Sequence, residues 1–107
     1  MADVIKVLGQ IYSTGSAQDL YTVPNLFSTT CSTLVVCNQT SASIAFRVSV
    51  RPAAAVQATK HYLFYDTPLG ANSTLTATIG ITLAQTDVVT VYAPAGISFS
   101  LFGVETT

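Results

Sequence analysis

The sequence predicts an all-β fold, a single antiparallel β-sandwich of about eight short strands over residues 1–107, and three observations predict it. Apolar and polar residues alternate with period two along much of the chain, turn-forming clusters recur at short and regular spacing, and no segment carries a sustained 3.6-residue apolar stripe. A chain of 107 residues has room for one modest core and none for a second domain. We find no internal repeat and no linker.

The strands follow in order. Candidates lie near Val4 to Tyr12, Asp19 to Val23 and Thr30 to Asn38, then at Ile44 to Arg51, where Ile44, Phe46, Val48 and Val50 point one way and Arg47, Ser49 and Arg51 the other. Pro52, which cannot donate to a ladder, ends that strand. Ala53 to Ala58 looks helical but is short enough for a loop or a single turn. Thr59 to Asp66 is the next candidate. The clearest alternation is Thr74 to Leu83, with Leu75, Ile79, Ile81 and Leu83 on one face and Thr74, Thr76, Thr78 and Thr82 on the other. Asp87 to Ala93 and Ile97 to Val104 complete the set. Between these stand Thr14-Gly15-Ser16, Pro24-Asn25, Asn38 to Ser41, Pro68 to Asn72 and Pro94-Ala95-Gly96, all rich in turn residues. Eight short strands on one small core imply two packed sheets, of jelly-roll or immunoglobulin-like kind.

Composition bounds the function. Charged residues are 8% of the chain against about 25% in an average soluble protein, and apolar residues are 50%. Thr and Ser therefore supply much of the surface, and a monomer so poor in charge is exposed to edge-to-edge association. This predicts faces covered by partner subunits. The net charge of −1 comes from scattered residues with no run of either sign, which argues against a nucleic-acid groove, where clustered Lys and Arg displace counterions. No stretch reaches the length of a membrane-spanning helix, and Met-Ala-Asp-Val-Ile-Lys lacks a signal-peptide layout. The expected location is the cytoplasm, unless the protein leaves within a particle. Cys31 and Cys37, if one strand joins them, lie roughly 20 Å apart, beyond disulfide reach, and are expected to be reduced.

Catalysis is poorly supported, and we expect no enzyme and no catalytic residue. His61 is the single histidine, and a triad needs it beside a nucleophile and an orienting carboxylate; a strand residue facing solvent or a subunit is the plainer reading. No cofactor or metal site is expected, because one His and two Cys lack a ligating spacing. Asp3, Asp19, Asp66, Asp87 and Glu105 fall mostly at strand ends, where Asp commonly serves turns. Asn38-Gln39-Thr40 and Asn72-Ser73-Thr74 match the glycosylation pattern, but both asparagines are better explained as turn residues. In His61-Tyr62-Leu63-Phe64-Tyr65, alternation places Tyr62 and Phe64 on one face and His61, Leu63 and Tyr65 on the other. A doubly buried central strand competes here with an aromatic face packed on a neighbouring subunit.

Tyr21-Thr22-Val23-Pro24, Leu34-Val35-Val36-Cys37-Asn38, Phe46-Arg47-Val48-Ser49-Val50, His61 to Asp66 and Asp87 to Ala93, taken in this order, resemble the small β-sandwich structural proteins of tailed bacteriophages. The likeness spans nearly the whole chain and lies in the order of its segments. It implies a virion component without enzymatic activity, located in a head, neck, tail or fibre-attachment region, and it transfers no catalytic residue. The first expectation is a capsid cement or decoration protein that binds the assembled shell and stabilises it by mass action. A tail, neck or fibre-adaptor protein is the second. A receptor- or carbohydrate-binding module using Tyr12, Tyr21, Tyr62 or Tyr92 is the third, weakened by the scarcity of Trp, Asp, Asn and Arg. The expected partners are other virion proteins and further copies of the chain, with a trimer as first guess, and neither nucleic acid nor membrane. Arg47, Arg51, Tyr62 and Phe64 are the candidate interface residues; the two arginines share a strand face and are too costly to bury unpaired.

Overall fold

A computed structural model describes residues 3–107; Met1 and Ala2, which open the N-terminal stretch without a signal-peptide layout, lie outside the described residues. Eight strands form: β1 (Asp3–Tyr12), β2 (Gln18–Thr22), β3 (Ser28–Asn38), β4 (Ile44–Arg51), β5 (Tyr62–Leu69), β6 (Thr74–Leu83), β7 (Val88–Tyr92) and β8 (Ile97–Thr106). They make two four-stranded antiparallel sheets, ordered β1-β8-β3-β6 and β2-β7-β4-β5. Only the connection from β4 to β5 stays within one sheet. The others cross the sandwich, which is the strand order of a jelly roll and not of an immunoglobulin fold.

Alternation explains the core. On β8, a central strand, Ile97, Phe99 and Leu101 are fully buried while Ser98, Ser100 and Phe102 turn outward. Leu34 and Val36 from β3 join them from the same sheet, and Phe46, Val48, Val89 and Val91 face them from the other. Phe46 sits at the centre, with its ring centroid 5.7 Å from that of Phe64 and 6.1 Å from that of Phe99.

The edges behave differently. β6 keeps the expected alternation, yet it lies at the rim of its sheet, so Leu75, Ala77, Ile79 and Ile81 are only partly buried. Thr59–His61 is a 3-10 turn rather than the start of a strand, and β5 runs on through Pro68 to Leu69. An edge strand tolerates this proline because one side of its backbone has no ladder to serve. Pro52–Ala54 forms a single turn.

Bulges reset which face a residue occupies. Val48 pairs with Phe64 and Ser49 with Tyr62, so Leu63 is the extra residue of β5 there; a second shift follows at Arg47, opposite Tyr65 and Asp66, where Asp66 takes a φ of 48°. In β3 a bulge at Ser32 lets Cys31 and Leu34 both face inward, and it places Cys37 on the outer side. Both cysteines are free, and burial pushes the Cys31 thiol up to about 11. Gly103 lies under the bulge, and a Cβ there would stand 2.1 Å from the Thr30 carbonyl oxygen.

Two polar clusters close the sandwich ends. Asn38, 1% exposed, has its amide nitrogen 2.9 to 3.1 Å from the carbonyls of Ala42, Leu69 and Gly70, while its amide oxygen accepts from the backbone and hydroxyl of Thr40. Asn72 holds a left-handed turn at φ 53°. Toward the other end, the Tyr21 hydroxyl donates to the buried Glu105 carboxylate and lies 2.8 Å from the Thr29 hydroxyl, with Lys6 Nζ 3.3 Å from Glu105. Burial and the adjacent carboxylate hold the Tyr21 phenol well above its ordinary range.

Candidate functional site

The outer faces of the two sheets are unlike each other. Arg47, Ser49 and Arg51 project outward from β4, where register sets them beside Tyr92, Thr90 and Val88 of β7. A cleft of about 230 Å³ opens over this face. Tyr62 and Tyr92 form its aromatic walls, Ser49 and Thr90 lie along its floor, and Gln57 reaches in from the loop after β4 to accept a 2.7 Å hydrogen bond from the Ser49 hydroxyl.

Both arginines are paired. Arg47 donates to both oxygens of Asp66, at 2.6 and 3.3 Å, and its guanidinium lies 4.3 Å from the Tyr65 ring centroid and 5.3 Å from that of Tyr92. The hydrogen bond from Arg47 holds the Asp66 carboxyl below the usual carboxylate range. Arg51 donates to Asp19 at 3.0 Å, to the Thr90 hydroxyl at 3.0 Å and to the Ala55 carbonyl at 3.0 Å. Asp19 also accepts from Thr90 at 3.1 Å. The group is a neutral, pre-bonded polar network with aromatic flanks. A second, shallower depression of about 460 Å³ lies on the far side of Tyr62, bounded by Thr59 and Tyr65, whose ring meets Tyr62 edge-on at 4.9 Å.

The outer face of β1-β8-β3-β6 carries Ile5, Val7, Val35, Phe102 and Val104 among threonines and serines. Ile5 is 85% exposed, and Asp3, at the end of the face, is its only charged residue among those described. Lys6 and Glu105 lie on the inward side of their strands.

The structure thus brings together Arg47, Arg51 and Tyr62, and it separates Phe64 from them. Phe64 turns inward against Phe46, because the bulge at Leu63 breaks the alternation that would put Tyr62 and Phe64 on one face. His61 is likewise not a solvent-facing strand residue: it is buried in the 3-10 turn, where Nδ1 accepts from the Ala58 backbone at 3.1 Å. Tyr21 is buried and cannot serve as a binding platform, and Tyr12 is exposed on the opposite sheet. Asp87 serves turns, accepting from the backbones of Ala53 and Ala84.

Tyr92, Asp19 and Gln57 are members of the cleft that sequence reasoning did not join to Arg47 and Arg51. They come from β7, β2 and a loop, and only strand order makes them neighbours. No helix among the described residues is long and apolar enough to cross a membrane. No protein-family model matches the chain, and no curated protein matches it in sequence.

Proposed function

We propose that the protein is a non-enzymatic structural component of a bacteriophage virion, and most specifically a cement or decoration protein bound to the assembled head. The observation that carries this reading is the outer face of β1-β8-β3-β6, which presents apolar residues and hydroxyls with Asp3 as its one charge among the described residues. A sheet face so poor in charge is costly to leave in water and open to adventitious pairing, so it favours a permanent neighbour. A four-stranded face of ten-residue strands measures roughly 19 by 33 Å, or about 600 Å². Covering it buries about 1,200 Å² counting both partners, which reaches the lower end for specific, stable interfaces. The jelly-roll order agrees, since this double sheet is a common form of viral shell domains.

The occupant we infer is the surface of neighbouring shell subunits, with copies of this chain contacting one another around a symmetry axis, a trimer being the first guess. Tail, neck or fibre-adaptor placement is the second reading, favoured by the same face and separated by copy number. Quantitative mass spectrometry of purified particles should find the chain near the abundance of the major capsid protein; tens of copies or fewer would move it to the tail or neck, and absence from particles would refute both. Val35→Lys and Val104→Lys, on the bare face, are expected to abolish incorporation while the isolated fold persists. Normal incorporation of both variants would overturn the choice of face.

A further inference from the structure

The distribution of charge on this chain is uneven in a way the docking face does not explain. Of nine charged residues, four (Asp19, Arg47, Arg51 and Asp66) gather on the outer side of β2-β7-β4-β5, together with Tyr62, Tyr65 and Tyr92. Both arginines of the protein are among them. A surface meant only to be wetted does not need such a concentration, and one meant to be covered by a flat partner does not need a cleft.

We infer that this cleft is a binding site for a neutral saccharide, with sugar rings placed on either side of Tyr62. Three features select the ligand class. First, each guanidinium is already matched by a carboxylate, so the network carries no net charge. An anion would have to displace Asp19 or Asp66 from its arginine, whereas a hydroxyl can add to the donors and lone pairs that remain.

Second, the walls are tyrosine rings, which offer an apolar face to the C–H side of a pyranose and a hydroxyl at the rim. A hydrocarbon ligand would leave Ser49, Gln57, Thr90 and Asp19 without partners for their remaining valences, while adjacent sugar hydroxyls match the spacing of paired donors and acceptors. Third, the cleft of about 230 Å³ is smaller than the roughly 300–1,000 Å³ of sites for drug-sized ligands, and so suits a single ring. The depression beyond Tyr62 extends the site to a second ring. The pre-formed hydrogen bonds among Arg51, Asp19 and Thr90 hold the polar groups in place before a ligand arrives, so little side-chain freedom is lost on binding.

The site lies on the sheet opposite the proposed docking face, so a copy seated on a particle by that face would turn the cleft outward. The saccharide reading does not depend on the virion reading and is tested on the isolated protein. The full chain is titrated with maltose, cellobiose, lactose and N,N′-diacetylchitobiose, with inorganic phosphate in parallel, and the tyrosine ring signals are followed by NMR. At least one sugar is expected to shift the Tyr62 and Tyr92 signals saturably at millimolar concentration and to leave Tyr12 and Tyr21 unmoved. Tyr62→Ala and Gln57→Ala should each weaken binding, the tyrosine by about tenfold or more, while Gln57→Ala keeps its fold because the Ser49 hydroxyl retains the Thr90 carbonyl at 3.3 Å as acceptor; Tyr12→Ala should bind normally. No saturable shift with any of the four sugars, saturation by phosphate instead, or full affinity in both cleft variants would each overturn the assignment.

Discussion

Tyr21→Phe removes one oxygen atom and nothing else, yet it is expected to be among the more damaging conservative changes in this protein. Glu105 is 5% exposed, and its carboxylate is held by the Tyr21 hydroxyl and by Lys6, whose Nζ is 3.3 Å away and whose side chain is 44% exposed. Without the phenol, the buried carboxylate loses its closest donor and the Thr29 hydroxyl loses its partner. Hydrogen bonds to charged groups contribute about 1.5–3 kcal/mol. Unfolding entropy near 2.1 cal/mol/K per residue gives about 0.22 kcal/mol/K for a chain of this length, so the melting temperature should fall by about 7–13 °C. Urea unfolding at neutral pH measures the loss directly, and an unchanged slope would show that the folded and unfolded states keep their exposed areas. Tyr12→Phe, on an exposed tyrosine, is the control and should stay within about 0.5 kcal/mol. If the two substitutions proved equally mild, Glu105 would not depend on Tyr21 and the polar seal between β2, β3 and β8 would be wrongly assigned.

Core substitutions should rank by depth rather than by residue type. Phe46→Ala is expected to cost about 3–5 kcal/mol, Ile79→Ala less than about 2 kcal/mol because Ile79 is only partly buried on an edge strand, and Thr78→Ala less than about 0.5 kcal/mol in the isolated protein; denaturant midpoints report the order, and a reversal would overturn the register of β6. Thiol alkylation of the native protein should label Cys37 and spare Cys31, whose burial and raised thiol value remove both access and thiolate, whereas the denatured chain should take two labels without reductant. Rapid double labelling of native protein would show an open core. For Asp66, held low by Arg47, the ionised form is favoured by folding, so its contribution is present above the ordinary carboxylate value of about 3.9 and lost as pH falls through the depressed one. Asp66→Asn should therefore destabilise at pH 7 and make no difference in strong acid; an equal deficit at both extremes would mean the ion pair is not its cause.

The extent to which all this was legible differs from element to element. Thr74 to Leu83 was legible in its bounds and its alternation, because the pattern is unbroken, although the extra residue at Ile79 and Gly80 opposite Ser32 was not. Ile44 to Arg51 was equally clear, including the shared face of Arg47 and Arg51. The aromatic run from His61 to Tyr65 was misread at Phe64 and His61, since a bulge depends on the partner strand and leaves no mark of its own in a string of large residues. The depth of Ile79 was not legible for a related reason: periodicity tells which face is inward, not whether the strand is at the centre or the rim.

By itself, then, the amino-acid sequence determined the all-β class, the eight strands in outline, their inward faces wherever no bulge intervenes, and the shortage of charge, because alternation and turn chemistry act over a few neighbouring residues. The jelly-roll order, the edges and the cleft were decided by tertiary structure alone. Asp19, Arg51 and Thr90 are separated by up to 71 positions and meet through pairings of β2, β7 and β4 that no local pattern encodes. Which strands become neighbours is settled by how two sheets bury their faces against each other, and that balance belongs to the packed core as a whole.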